Sequence, residues 1–305
     1  MRAADARIIV VTGKGGVGKT TVSAALALAA ARKGRRVLVC ETNGSTALSR
    51  IFGRPSRGYE QIEVANGLWT QSITSAAAIE DYVVQQIKFR KLYKMVFRNR
   101  VMGPFLDAVP GLHDLIQLGK VFDLEREQRD GRPAWDLVIM DAPATGHGLT
   151  MLASPRAMME LTVRGPFYEN AKLVAGLYED PARVSVLLVA LPEELPVNET
   201  VELYDRLGPM RKQVVGIVLN EVYPTPLPAP AWYREHHASL AAAANPAGLE
   251  ALKLADLALK RADLEERARQ RLGALGPPIR ELPFRYRRDL GIHDLDAMAR
   301  LVGSL

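Results

Sequence analysis

The sequence predicts an α/β protein: a doubly wound, mostly parallel sheet with helices on both faces and an inserted α-helical subdomain. Three observations predict it. Apolar runs such as "RRVLVCE" (35–41) and "RVSVLLVALP" (183–192) lack polar alternation, as strands covered on both faces do. Helix-like segments separate these runs, which is the order of βαβ units. The first run also enters an alanine-rich helix through a glycine-rich turn.

Taken in order, "RIIVVT" (7–12) is a short β-branched run ending at Gly13, and 19–33 is rich in alanine and leucine until Gly34. A buried strand, a tight turn and a helix with a glycine cap follow. Residues 35–41 are the second strand, and "EQIEV" (60–64) and "LWTQSIT" (68–74) suggest two less regular ones. The stretch 76–130 reads as purely helical, broken at Gly103-Pro104 and Pro110-Gly111. Strands resume at "WDLVIMDAP" (135–143), 183–192 and "QVVGIVLNE" (213–221), with a last short one at "PIRELPF" (278–284). "YPTPLPAPAW" (223–232) is a stiff connector into a helical hairpin over about 232–274. One domain, 1–305, is expected, with its helical insertion at about 76–130. The phosphate-loop unit described next occurs once, so one nucleotide site per chain is expected.

Gly13-Lys14-Gly15-Gly16-Val17-Gly18-Lys19-Thr20 fits G-x-x-x-x-G-K-[ST] between a strand and a helix. Glycines let backbone N–H groups, continuing to Thr21, turn around the phosphates of ATP, and the helix presents its positive end. Lys19 would neutralise the β- and γ-phosphate oxygens, and the Thr20 hydroxyl would meet Mg²⁺. Asp141 closes an apolar strand, where a carboxylate can hold Mg²⁺ through water. Gly146 follows closely enough for its N–H to meet the γ-phosphate, and lets the loop rearrange when that phosphate leaves.

Composition bounds the rest. Of 305 residues 48% are apolar and 24% charged, which excludes wholesale disorder. The single cysteine, Cys40, excludes an internal disulfide framework and a four-cysteine zinc site. No run of about 18 uncharged apolar residues and no signal-peptide core is evident, so a cytoplasmic location is expected. The net charge of +6 permits contact with anionic surfaces without demanding it. Lys88, Arg90, Lys91, Lys94, Arg98 and Arg100 form a basic run, read as a solvated helix face before a docking surface for lipid, nucleic acid or an acidic client, with peripheral membrane contact favoured over nucleic acid.

The cradle does not require Lys14. With it the loop resembles the deviant Walker A class, K-G-G-x-G-K-[ST]. "MDAPATGHGLTMLASP" (140–155) is similar to the second switch of the arsenite-pump and tail-anchored-protein-targeting ATPases, "ETNGSTALSRIFG" (41–53) to their first switch, and "VPGLHDLIQLGKVF" (109–122) to their helical subdomain. The order and spacing are shared along the whole chain. The resemblance implies an ATPase switch with ATP and Mg²⁺, formed by two copies or by paralogous subunits closing face to face. Lys14 would then reach across to the partner's nucleotide, and a client protein would bind a helical surface. It also implies that Asn220 recognises adenine while Pro283 and Phe284 pack against the base.

Two departures matter. Asn43 stands where the family carries a water-orienting aspartate; it can still orient water by hydrogen bonding, and Glu41, two residues earlier on the same strand face, is expected to supply the missing charge. A competent but slow ATPase is expected. Arsenite capture needs several thiolates, which this chain lacks. A positioning ATPase of the MinD/ParA kind on a membrane or nucleoid, or a low-turnover nucleotide-binding subunit, are the other readings.

Overall fold

The protein is described by a computed structural model covering residues 6–42, 44–87, 109, 111–223, 230–287 and 290–303. The chain runs β1 (Ile8–Gly13), α1 (Lys19–Arg32), β2 (Val37–Glu41), α2 (Ala47–Ile51), β3 (Ile62–Ala65), β4 (Leu68–Ser72), α3 (Ser75–Ile87) and α4 (Leu112–Arg126). It continues through β5 (Gln128–Arg129), β6 (Arg132–Pro133), β7 (Leu137–Asp141), α5 (Thr145–Leu161), α6 (Pro166–Tyr178), β8 (Val184–Ala190) and α7 (Glu194–Arg206). A short 3₁₀ turn (Gly208–Gln213), β9 (Val214–Val222), α8 (Pro230–Ala243), α9 (Pro246–Gly273), β10 (Ile279–Pro283) and α10 (Ile292–Val302) follow.

Eight strands form one sheet in the order β10-β9-β8-β1-β7-β2-β4-β3. Every neighbouring pair is parallel except the edge pair β3–β4. β1 lies near the middle and is buried throughout, so its alternation serves two cores. Ile8 and Val10 join Val138, Met140 and Leu118 on one face, while Ile9 and Val11 meet Ala24, Ala27 and Leu28 of α1 on the other. α1 has no polar stripe. Ten successive residues, Val22 to Ala31, are buried because α10 covers the side that the sheet leaves open. Alanine allows this close approach, and Lys33 Nζ donates to the Gly303 carbonyl at 2.6 Å to tie the two helices.

The structure departs from a purely helical reading of 76–130 at its end. After α4 the chain makes the small hairpin β5–β6 across Asp130 and Gly131, whose φ values of 53° and 74° suit a two-residue type I′ turn. Glu127 anchors it, its carbonyl accepting from Ala134 N at 2.7 Å and its carboxylate from Trp135 Nε1 at 3.1 Å. The basic run 88–100 and the break at 103–104 lie outside the described residues. Methionines suit an adaptable client groove, and of those in the helical regions Met151 and Met158 are buried in the core while Met159 packs against it. Met95 and Met102, from the same group of candidates, also lie outside the described residues. Among the described residues no helix is long and apolar enough to cross a membrane.

Candidate functional site

The Gly13–Thr20 loop leaves the C-terminal end of β1, between its sheet neighbours β7 and β8, and turns into α1. Close approach explains the glycines: a Cβ on Gly13 would lie 2.2 Å from the Val189 carbonyl oxygen. Gly18 has φ 89°, and a Cβ there would lie 2.3 Å from Asn220 Nδ2. No side chain caps α1, which leaves its first-turn N–H groups for an anion. Lys19 Nζ donates to the carbonyls of Gly13 at 3.1 Å and Lys14 at 2.8 Å, holding the ammonium inside the loop. Burial lowers its pKa, with Asp141 opposing the shift.

Below the loop, α1 and β7 meet through three side chains. Thr20 Oγ1 donates to Asp141 Oδ2 at 2.6 Å, and Ser23, one turn further along α1, donates to Oδ1 at 3.2 Å. Asp141 is 2% exposed, and burial raises its pKa to about 6, helped by Glu41 and opposed by both Thr20 and Lys19. A hydroxyl and a carboxylate paired beneath an anion cradle are donors of the chemistry Mg²⁺ takes, so these residues fit that ion.

Glu41 is the register partner of Asp141 on the adjacent strand. Its carboxylate nevertheless turns to α2, Oε1 accepting from Ala47 N at 2.9 Å and Leu48 N at 3.3 Å. The residue before that helix makes no capping bond, and Glu41 together with Ser45 Oγ, which accepts from Ala47 N at 3.1 Å, serves its first N–H groups. Asn43 lies outside the described residues. Gly146 sits in the first turn of α5, which no side chain caps.

Lys14 does not face solvent in the single chain. Its ammonium pairs with Glu199 Oε1 of α7 at 2.8 Å, with 26% and 31% of the two side chains exposed. The loop's remaining residues complete the cradle: Gly15 faces Ala144, Gly16 has φ 83°, and Val17 is buried beneath the turn.

Asn220, on β9, reaches the loop beside Val17 and Gly18. Its Nδ2 donates to the Val17 carbonyl at 2.9 Å, and its Oδ1 is buried without a partner among the described residues. β10 brings Pro283 beside Val222, and Phe284 N donates to the Val222 carbonyl at 2.8 Å. Phe284 stacks on Tyr223 at 4.2 Å, with the Arg261 guanidinium 4.3 Å from the Tyr223 ring. Ser23, Glu199 and Tyr223 were not singled out from the sequence. Ser23 alone carried a signal, the three-residue spacing that puts it on the face of Thr20.

Cys40 is fully buried in β2, and burial pushes its thiol far above the usual range. A thiol so placed is a core residue, not a ligand.

The family described as anion-transporting ATPase matches residues 6–166, more than half of the chain, and so takes in the phosphate loop, Glu41, Asp141 and Gly146. The chain belongs to the anion-transporting ATPase family. An ATPase called BagA from Mycobacterium tuberculosis is 30% identical over 234 residues, covering 74% of this chain and 68% of that protein. A putative arsenical pump-driving ATPase of Aquifex aeolicus is 24% identical over 250 residues, covering 72% of this chain and 81% of that protein. An ATPase of Paramecium tetraurelia named as an ASNA1 homolog is 24% identical over 256 residues, covering 70% and 75%. Membership of the anion-transporting ATPase family makes this chain an ATPase with a nucleotide substrate.

Proposed function

We propose that the protein is a Mg²⁺-ATP-dependent switch in which two copies, or this chain and a paralogue, close on nucleotide and thereby bind or release a client protein. The observation that carries this is the hydroxyl–carboxylate pair of Thr20 and Asp141 beneath an uncapped helix and an ammonium held by loop carbonyls. Phosphate oxygens replace the carbonyls as the partners of Lys19. Thr20 and Asp141 would hold Mg²⁺, which would supply positive charge against the β- and γ-phosphates. The N–H groups of Gly15 to Thr21 line the phosphates. Asn220 Oδ1, with its amide N–H₂ engaged by Val17, accepts from the adenine amino group and finds only an acceptor at the same edge of guanine.

Hydrolysis is slow in this reading. Glu41 is committed to α2, so Asn43 orients water by hydrogen bonding alone. Gly146 reports the γ-phosphate to α5, a helix of 17 residues that spans roughly 25 Å and ends near the exposed Leu161 and Val163. Such a lever supports a client surface of changing shape in a cytoplasmic protein. Metalloid capture is not part of the proposal.

Lys14 tests the dimer. Lys14→Ala is expected to keep nucleotide affinity while losing dimerisation with a non-hydrolysable Mg²⁺-ATP analogue in sedimentation velocity. A dimer that survives the substitution sinks the trans role. The commitment of Glu41 also favours a second reading, a low-turnover nucleotide-binding subunit; a single-turnover assay with no phosphate release over hours would select it.

A further inference from the structure

β1 presents Ile8, Val10 and Thr12 to the same core by strand alternation, and Thr12 is the polar member of that set. It is fully buried, and its Oγ1 has no hydrogen-bond partner among the described residues. Valine has the same shape and would leave no buried hydroxyl unsatisfied, so stability alone argues against threonine here. What the hydroxyl faces is specific. A Cβ on Gly148 would lie 3.1 Å from Thr12 Oγ1 and 3.1 Å from the Pro143 carbonyl oxygen, which puts the hydroxyl against the main chain where β7 passes into α5. Gly148 N donates to Ala144 O at 2.9 Å, and the first turn of α5 has no side-chain cap. A buried hydroxyl without a partner therefore sits beneath a helix start with main-chain groups to spare.

We infer that Thr12 is a positioning residue for this segment: its hydroxyl takes a main-chain partner within residues 143–148 when the segment moves onto the γ-phosphate of bound ATP. The unsatisfied hydroxyl raises the energy of the nucleotide-free arrangement and is satisfied in the closed one, which biases the two-state element toward closure. Thr12 touches no reacting atom and acts through Gly146. The inference rests on the reading of 141–148 as the phosphate-sensing segment.

The experiment compares the full chain with Thr12→Val, which keeps shape and loses the hydroxyl, and Thr12→Ser, which keeps the hydroxyl. Melting temperature is measured without nucleotide, with Mg²⁺-ADP and with a non-hydrolysable Mg²⁺-ATP analogue, alongside kcat and KM. Thr12→Val is expected to melt higher without nucleotide by roughly 2 °C. It should lose much of the extra stabilisation that the ATP analogue gives over ADP, and kcat should fall roughly five- to tenfold at nearly constant KM, the effect of one hydrogen bond made only in the closed state. Thr12→Ser should retain both the ATP increment and kcat. An unchanged ATP increment and kcat in Thr12→Val would overturn the inference alone. An unsubstituted protein that neither hydrolyses ATP nor distinguishes it from ADP would overturn the functional reading, and this inference with it.

Discussion

Asp141 shows how a buried carboxylate costs stability at neutral pH. Its folded-state pKa near 6 lies above the ordinary carboxylate value of 3.8, so the native state binds this proton more tightly than the unfolded chain does. The associated stability is present below about pH 4 and is lost as pH rises through 6, a cost of about 3 kcal/mol at neutral pH. Asp141→Asn removes the titrating group and leaves the amide oxygen as an acceptor for Thr20 or Ser23. Without nucleotide, this variant is expected to melt above the parent at pH 7.5, with a gap that narrows as pH falls and closes only below about pH 4, while losing Mg²⁺-dependent nucleotide affinity. Parallel pH–melting curves for the two proteins would contradict the assignment. Asp141 and Thr20 were legible in the sequence because a motif fixes both their chemistry and their place. The Lys14–Glu199 pair was not, since its partners lie far apart in sequence and only the packing of α7 against β1 brings them together.

Among the elements, those with a long apolar run were readable within a residue or two, because burial on both faces suppresses alternation over the whole strand. The hairpin β5–β6 has two residues per strand, too few to show a period, and its Asp130-Gly131 turn was the available sign. α2 is a different case. Five residues cannot hold a helix by propensity, and Glu41 supplies the acceptor that its first N–H groups need. Its pKa is raised by burial and lowered by the bonds from Ser45, Leu48 and Ala47. If this cap is its role, Glu41→Ala destabilises the protein by about 1–2 kcal/mol, whereas Glu41→Gln keeps the acceptor oxygen and loses less. Phosphate release by Glu41→Gln should then stay within about twofold of the parent, as neutral and charged acceptors cap comparably. A large loss of turnover in Glu41→Gln with unchanged melting would instead give Glu41 the catalytic charge that Asn43 lacks.

For the whole molecule, if two chains close on nucleotide as proposed, the ion pair of Lys14 and Glu199 would link one chain's internal packing to its association with another. In the single chain the lysine is turned toward α7, so the proposed closure on a partner's nucleotide would require that pair to break, and its free energy would become part of the monomer–dimer equilibrium. Pairs with about a third of each side chain exposed are worth about 0–1 kcal/mol, so the restraint is small enough for ATP to overcome. Glu199→Gln should accordingly tighten ATP-dependent dimerisation by up to about fivefold for each chain that releases its lysine, the factor that 1 kcal/mol represents, and so by up to roughly thirtyfold when two copies of the variant associate. The same substitution should do nothing in a Lys14→Ala background, and this double-mutant cycle separates release of the lysine from any direct contact that Glu199 makes with a partner. Weaker dimers in Glu199→Gln, whether or not Lys14 is present, would mean that Glu199 belongs to the interface itself and that the pair restrains nothing.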